Sequence, residues 1–260
     1  MKHRNLPRLP DWPDHGLNDT LNLFHSAHKE SPMIRSSLRF TTLCAGLLLS
    51  ASALALSLGD LSQSDASGGL KDALTQGAQI AVKQLSTPGG FSNNPDVRIE
   101  LPGNLGKAAK AMKMFGKGDQ VDALETSMNK AAEAAVPQAQ AILVDAVKKM
   151  TVTDAKGILS GGQDSATQYL NKSSREQIRA KFLPIVKQAT DKVGLAQQYN
   201  SFAGQAKGLG LIKDDANIEN YVTEKALDGL FEMIGKQEES IRQNPAGAAT
   251  SLAKKVFGAL

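Results

Sequence analysis

Apolar residues recur three or four positions apart along most of the chain after residue 65, the spacing that places side chains on one face of an α-helix. Residues 65–86 carry the first such stripe, whose members are Leu70, Leu74, Ala78, Ala81 and Leu85. Longer stripes of the same period run through residues 119–150 and 215–243. The pattern therefore predicts a protein built mainly of amphipathic helices.

Prolines, glycines and capping residues predict where these helices begin and end. Pro137 is expected to kink or divide the helix over 119–150, because proline lacks a backbone N–H. Ser173 with Glu176 fits a capping box that would open a later helix. Glycines at 204, 208 and 210 indicate a loop before the helix over 215–243.

One stretch departs from the helical pattern. In residues 91–102, Val97, Ile99 and Leu101 alternate with polar residues, which predicts a short strand or an ordered extended loop. A single isolated strand is too little to build a sheet. The sequence thus predicts an all-α fold, a single helical bundle of about seven or eight helices over residues 56–260 with one short extended segment near residues 97–101.

Residues 33–55 have the layout of a secretory signal peptide. A basic start is followed by an uncharged apolar stretch, and Ala53 and Ala55 give the small-x-small pattern that signal peptidase cuts. The expected cut lies just before Leu56. A retained membrane anchor is the alternative, because residues 40–59 carry no charge and have about the length of a membrane span.

Residues 1–32 precede this signal and are polar, with many prolines and histidines. They show neither the helical nor the strand period, so we expect them to be disordered if they are translated. A signal peptide works from the N-terminus of a chain. We therefore expect Met33 to be the true start, residues 1–32 to be an artefact of start-site assignment, and the exported protein to lie in the periplasm.

Cleavage of the signal would also remove the side chains on which several kinds of catalytic and metal-binding site depend. All four histidines, the single cysteine and the single tryptophan lie before residue 56. Without imidazole there is no Ser-His-Asp triad, and without a thiol there is no cysteine nucleophile. Conventional zinc, copper and haem sites need one or both groups. We expect no cofactor, although carboxylate pairs, lysine catalysis and oxygen-ligated Ca²⁺ or Mg²⁺ remain chemically available.

The charge balance bears on the choice of partner. Residues 56–260 contain 20 Lys and 4 Arg against 13 Asp and 9 Glu, a net charge of +2. So mild a balance is typical of an ordinary soluble protein and does not indicate a nucleic-acid partner. The expected partner is therefore an envelope protein or a small apolar ligand.

Five charged residues are candidates for contact with a ligand or partner. Arg98 lies in the extended segment, where it ties the loop to a helix carboxylate or binds an anion with two hydrogen bonds. Glu238 and Arg242 have the spacing of an ion pair on a helix surface. Lys254 and Lys255 make the last helix basic and amphipathic, which favours docking on the bundle over contact with a membrane surface.

Two further motifs have structural explanations. The glycine-bearing turn at 157–165 lacks the lysine and the spacing of a phosphate-binding loop, so we expect a turn between helices. Asp214, Asp215 and Glu219 cluster oxygen atoms but lack the glycine and glutamate of an EF-hand loop. Acidic residues at the start of a helix explain them. The sequence therefore identifies no catalytic or metal-binding residue.

Several segments, taken in order, resemble one bacterial family. They are LKDALTQGAQIAVKQL, NNPDVRIELP, MNKAAEAAVPQAQAILVDAVKKMTVTDAKGILSGG, FLPIVKQAT and YVTEKALDGLFEMI. The chain resembles the uncharacterised family of exported Gram-negative proteins known as domain of unknown function 4197. The resemblance covers essentially all of residues 56–260. It implies export, an all-helical fold, and no assigned activity or catalytic residue.

Export and the lack of nucleophile-activating groups together favour a non-catalytic envelope protein that binds a protein partner or a small apolar ligand. Two alternatives stay open. One is a hydrolase or lyase that uses carboxylates or lysine, which predicts acidic side chains converging in a pocket. The other is a peripheral inner-membrane protein held by an uncleaved signal or by the C-terminal helix.

Overall fold

The computed structural model of the protein describes residues 61–192, 194–209 and 217–260. In these residues it has nine α-helices and no strand. The all-α prediction is confirmed. The expected signal peptide with Ala53 and Ala55, Leu56 just after the expected cut, and the extension over 1–32 lie outside the described residues. The helices are α1 (Gln63–Leu85), α2 (Gly103–Met114), α3 (Gly118–Ala135), α4 (Ala139–Lys149), α5 (Val152–Leu159), α6 (Ser165–Lys192), α7 (Leu195–Gly208), α8 (Ile218–Gln243) and α9 (Ser251–Phe257).

Helices α1, α3, α6 and α8 form the centre of the bundle. Helix α6 packs against α8, α3 and α4, while α1 packs against α8, α9 and α4. Helices α2 and α7 pack against α3 and against each other. The inward stripes of all nine helices meet in one hydrophobic core. Fully buried members of this core include Leu70, Leu143, Ile178, Leu195 and Leu230.

Pro137 divides the long helical run as predicted. It lies in a short 3₁₀ turn, Val136–Gln138, that separates α3 from α4. Proline is tolerated there because the first residues of a helix have no intrahelical partner for their N–H groups. Pro184, by contrast, lies inside α6, and the helix continues past it to Lys192. The two prolines therefore have different effects on helix length.

Helix α6 begins at Ser165, so the capping box predicted at Ser173 is wrong. The hydroxyl of Ser173 donates to the backbone carbonyl of Tyr169 at 2.8 Å, inside the helix. The start of α6 is capped from α8, where the Glu238 carboxylate accepts the backbone N–H groups of Ala166 at 3.1 Å and Thr167 at 2.8 Å. A cap supplied by a distant helix leaves no local sequence signal.

Helix α7 occupies most of the region where glycines predicted a loop. Gly204 and Gly208 are helical residues of α7, which corrects that prediction, and Gly210 lies outside the described residues. A glycine inside a helix costs about 1 kcal/mol relative to alanine. Burying Tyr199 and Phe202 on the inner face of α7 outweighs that cost, since each large side chain contributes about 1.5–3 kcal/mol.

Residues 91–101 form an ordered loop that rests on three polar side chains of α3: Glu125, Asn129 and Glu133. The side-chain amide of Asn129 accepts the N–H of Ile99 at 2.8 Å and donates to the C=O of Ile99 at 2.9 Å. The Glu133 carboxylate accepts the N–H of Phe91 at 3.1 Å. Side chains thus supply the hydrogen bonds that a neighbouring strand would give. We call these three residues the α3 polar stripe.

The other side of this loop packs against α8. A Cβ atom at Gly229 would lie 2.8 Å from the ring of Phe91 and 3.1 Å from the Cβ of Val97, so the loop approaches α8 where there is no side chain. The Tyr221 hydroxyl donates to the C=O of Glu100 at 2.8 Å. The loop is therefore fixed between α3 and α8.

Thr223 offers a test of the packing of α8. It is fully buried, and within the described residues its hydroxyl has no hydrogen-bond partner. Because an unsatisfied buried hydroxyl is costly, we expect Thr223→Val to raise the free energy of unfolding by about 1 kcal/mol in urea titrations. The exposed Thr126→Val is the control and should change it by less than about 0.5 kcal/mol. A loss of stability in Thr223→Val would show that the hydroxyl has a partner.

Candidate functional site

Glu238 is buried and Arg242 is largely covered, which corrects the prediction of an ion pair on a helix surface. Their side chains are 2% and 12% exposed. The Arg242 guanidinium donates to Glu238 Oε1 at 2.9 and 3.1 Å and to the C=O of Ile158 at 3.2 Å, and it lies 5.7 Å from the centre of the Phe257 ring. The pair lies on the inner face of α8 and joins it to α5, α6 and α9. The hydrogen bonds of this pair therefore connect parts of the protein to one another.

Arg98 has the structural role that the sequence predicted for it. Its guanidinium donates to Glu125 Oε2 at 2.8 Å and so ties the 91–101 loop to α3. The Arg98 side chain is 44% exposed, whereas that of Glu125 is 11% exposed. The carboxylate that Arg98 engages therefore belongs to the protein itself.

Lys254 and Lys255 point into solvent from α9, and Lys255 lies 3.3 Å from an oxygen of Asp65 on α1. The apolar face of α9, which includes Val256 and Phe257, is buried and packs against α1. Docking on the bundle, the favoured prediction, is confirmed. Among the described helices, none combines the length and the apolar character that crossing a bilayer requires.

A surface groove between α6 and α8 gathers polar side chains that the sequence analysis did not single out. It encloses about 590 Å³ and is open to solvent along one side. Residues three or four positions apart on each helix face each other across it. The lining residues of this α6–α8 groove are Gln163, Asp164, Thr167, Gln168, Asn171 and Arg175 on one wall and Asp228, Phe231, Glu232, Gly235, Lys236 and Glu239 on the other.

The α6–α8 groove is acidic. Four of its residues are acids and two are bases, so its net charge is −2. Both bases already have acidic partners, because Arg175 donates to Asp228 at 2.8 Å and Lys236 pairs with Asp96 of the 91–101 loop. Acidic clefts concentrate positively charged ligands. The groove therefore favours a ligand that carries lysine or arginine.

The floor of the groove is formed by an aromatic ring and a glycine, so it is apolar and carries little side-chain bulk. The Phe231 ring is almost completely buried beneath it. Beside this ring, Gly235 lies in the middle of α8, where an added Cβ would lie 3.8 Å from the Thr167 side chain, an ordinary van der Waals distance. A Cβ atom at Gly235 would therefore fit without a clash, and a longer side chain would extend from it into the groove.

Ion pairs close one end of the groove and hold α6 against α8. Burial alone would raise the pKa of the Glu224 carboxyl, but hydrogen bonds from Arg175 at 2.7 Å and Arg179 at 2.5 Å outweigh it, so its pKa lies below its usual range. Arg175 bridges from Glu224 to Asp228. A lowered pKa keeps Glu224 ionised, which is the opposite of what a general acid needs.

Glu224 should make stability depend on pH. Because its pKa is lower in the folded protein than in the unfolded chain, its contribution is complete above the unfolded value of about 4.3 and is lost as the pH falls through the folded value. We expect Glu224→Gln to destabilise the protein at about pH 7, with a difference from wild type that shrinks in more acidic urea titrations. The exposed Glu176→Gln is the control. A difference that stays constant with pH would contradict this assignment.

Two further features of the described residues bear on binding. No group of three or more His, Cys, Asp and Glu side chains there is placed to hold a metal ion. A gap in the core beside Leu74, Gly77 and Ile234 has a volume of about 10 Å³, room for one water molecule at most. A small apolar ligand does not fit in this gap.

The sequence contained one signal for the groove. Polar residues at 164, 168, 171 and 175 recur at helical spacing, as do those at 228, 232, 236 and 239. Any solvated helix face has this pattern, so it does not distinguish a binding surface. Gly235 is the informative residue, because a glycine inside an otherwise uninterrupted helix usually has a packing or functional reason.

Comparison with known proteins gives one match. The model of the family described as "Protein of unknown function (DUF4197)" matches residues 60–258. No curated protein and no solved structure matches the chain. The family match covers all nine described helices and agrees with the resemblance found in the sequence.

Proposed function

Because the chain belongs to the DUF4197 family, whose description assigns no function, we propose a function from its own surfaces: an exported, non-catalytic domain that binds a protein partner in the α6–α8 groove. The observation that supports this most strongly is the groove itself. The groove lies between two long helices and is open to solvent, with an apolar floor and acidic residues in its lining. A volume of about 590 Å³ is within the usual range of ligand sites.

The chemistry of the lining defines the partner. Acidic side chains on both walls favour lysine or arginine side chains, and the amides of Gln168 and Asn171 can bond to a peptide backbone. The floor at Phe231 and Gly235 admits one apolar side chain of the partner. A basic peptide segment with a central apolar residue, helical or extended, meets these requirements.

Export through the signal at 33–55 belongs to this proposal. The signal pattern supports it, and so does the start of the family match at residue 60, shortly after the expected cut. N-terminal sequencing of the protein from the periplasm should give Leu56 as the first residue. A mature protein that still contains Trp12 would contradict cleavage. Sedimentation that resists carbonate extraction, rather than release by osmotic shock, would favour the inner-membrane alternative.

Photo-cross-linking in the cell tests the groove. A photoreactive amino acid at Gln168, an exposed residue of the groove, should cross-link to one envelope protein. The same group at Lys130, exposed on α3 outside the groove, is the matched control and should not. Double substitution of Glu232 and Glu239 by lysine, which changes the net charge of the lining from −2 to +2, should lower the yield at least tenfold.

Gly235→Leu provides a variant that blocks the groove and keeps the fold. Leucine is a better helix former than glycine, and a Cβ at Gly235 meets no clash, so circular dichroism and the melting temperature should be retained. The cross-link from Gln168 should be lost. An unchanged yield in Gly235→Leu, or an equal yield from Lys130, would overturn the proposed function.

A further inference from the structure

A second surface lies at the end of α2, where three large apolar side chains are exposed. Met114 is 87% exposed, Phe115 is 73% exposed and Leu209, just after α7, is 59% exposed. Phe115 and Leu209 border a shallow hollow of about 480 Å³ between the two helices. Exposed apolar clusters of this kind mark sites of interaction with proteins or membranes. We call this surface the α2–α7 tip.

The backbone holds the tip in a fixed shape. The N–H of Lys117 donates to the C=O of Met112 at 2.9 Å, and the N–H of Gly116 donates to the C=O of Lys113 at 3.2 Å. This pair of hydrogen bonds is the Schellman motif that ends a helix, and Gly116 takes its left-handed conformation with φ of 75°. Phe115 therefore projects from a rigid turn rather than from a flexible loop.

Helix α2 and the turn that follows it are rich in lysine. Residues 101–118 contain four lysines and no Asp or Glu. Lys113 pairs with Asp122 at 2.8 Å, whereas Lys107, Lys110 and Lys117 are exposed and make no ion pair with a described residue. On α2 the lysines lie on the outer face with Met114, while the opposite face enters the core. Lysines thus lie beside the exposed apolar side chains at the end of α2.

We propose that the α2–α7 tip docks on the surface of an anionic phospholipid bilayer. Phe115, Met114 and Leu209 would enter the boundary between headgroups and acyl chains, and the lysines would lie at the level of the phosphates. Amphipathic surfaces of this composition bind in the plane of a membrane through apolar burial and attraction to anionic lipid. Lysines near such a surface are attracted to anionic headgroups, so the three lysines without an ion pair give a preference for anionic lipid. The docking is peripheral and does not depend on the α6–α8 groove.

Fluorescence on vesicles tests this proposal. In the full chain with Trp12→Phe, the substitution Phe115→Trp supplies the sole indole. Its emission should move to shorter wavelength on vesicles that contain phosphatidylglycerol and should stay unchanged on pure phosphatidylcholine. The matched control places the indole elsewhere, by Tyr169→Trp on α6, which should show no shift on either vesicle.

Sedimentation with the same vesicles measures the contribution of each group. Phe115→Ser and Lys110→Glu should each weaken binding to phosphatidylglycerol vesicles at least tenfold, while Lys130→Glu on α3 should not. Gly235→Leu should bind like wild type, which separates this proposal from the groove. Equal binding to both vesicle types, or wild-type binding by Phe115→Ser, would overturn it. So would self-association that Phe115→Ser abolishes in the absence of vesicle binding, because the tip would then pair with a second copy of the chain.

Discussion

Replacing Glu238 by alanine is expected to lower the free energy of unfolding by about 3–5 kcal/mol, because it removes a buried carboxylate and leaves the mostly covered guanidinium of Arg242 without its partner. Glu238 is 4% exposed and joins three parts of the fold. One oxygen accepts from Arg242 and from the N–H of Ala166, and the other accepts from the N–H and the hydroxyl of Thr167. The substitution removes all of these bonds at once and uncaps α6.

Urea titration of Glu238→Ala beside Glu239→Ala separates the buried carboxylate from its neighbour. Glu239 is exposed, and its substitution should change the free energy of unfolding by less than about 0.5 kcal/mol. The melting temperature of Glu238→Ala should fall in parallel. Similar small losses in the two variants would mean that Glu238 does not hold α6, α8 and Arg242 together.

Asn129→Ala should cost about 2–4 kcal/mol by releasing the 91–101 loop. Asn129 is 1% exposed, and its side chain bonds to the N–H and C=O of Ile99 and to the C=O of Glu125. Buried backbone groups left without partners cost about 1–3 kcal/mol each. Amide hydrogen exchange at Ile99 should become faster in this variant, and urea titration should show the lost stability.

Lys130→Ala is the matched control for Asn129→Ala. It is the next residue of α3 and is exposed, so both measurements should stay close to wild type. If exchange at Ile99 is as slow in Asn129→Ala as in the wild type, then the α3 polar stripe is not what fixes the loop. The packing of Phe91 and Val97 on Gly229 would then be sufficient.

The helices that could be predicted from the sequence are those whose signals are local. The stripe from Leu70 to Leu85 became the core face of α1, and Pro137 divided α3 from α4. Helix α7 was missed because its glycines outweighed a buried stripe that includes Tyr199. The start of α6 was misplaced because its cap, Glu238, comes from a helix far along the chain. Tertiary contacts decided these boundaries.

The roles of the α3 polar stripe and of the groove residues were harder to predict from the sequence than the fold. Glu125, Asn129 and Glu133 recur every four residues beside the apolar stripe of α3, which indicates that they face inward, but not that they hold a loop. The α6–α8 groove depends on two helices meeting in three dimensions, and each wall alone looks like an ordinary solvated face. The sequence therefore predicted binding of a protein partner or a small apolar ligand and did not indicate where on the molecule this would occur.

Carboxyl footprinting of the protein bound to the partner captured from Gln168 is the most direct test of binding in the groove. The groove carboxylates Asp164, Glu232 and Glu239 should be labelled more slowly in the complex than in the free protein. Glu176 and Asp145, exposed outside the groove, should be labelled at the same rate in both. Unchanged labelling of all three groove carboxylates, with protection elsewhere, would contradict the proposed function.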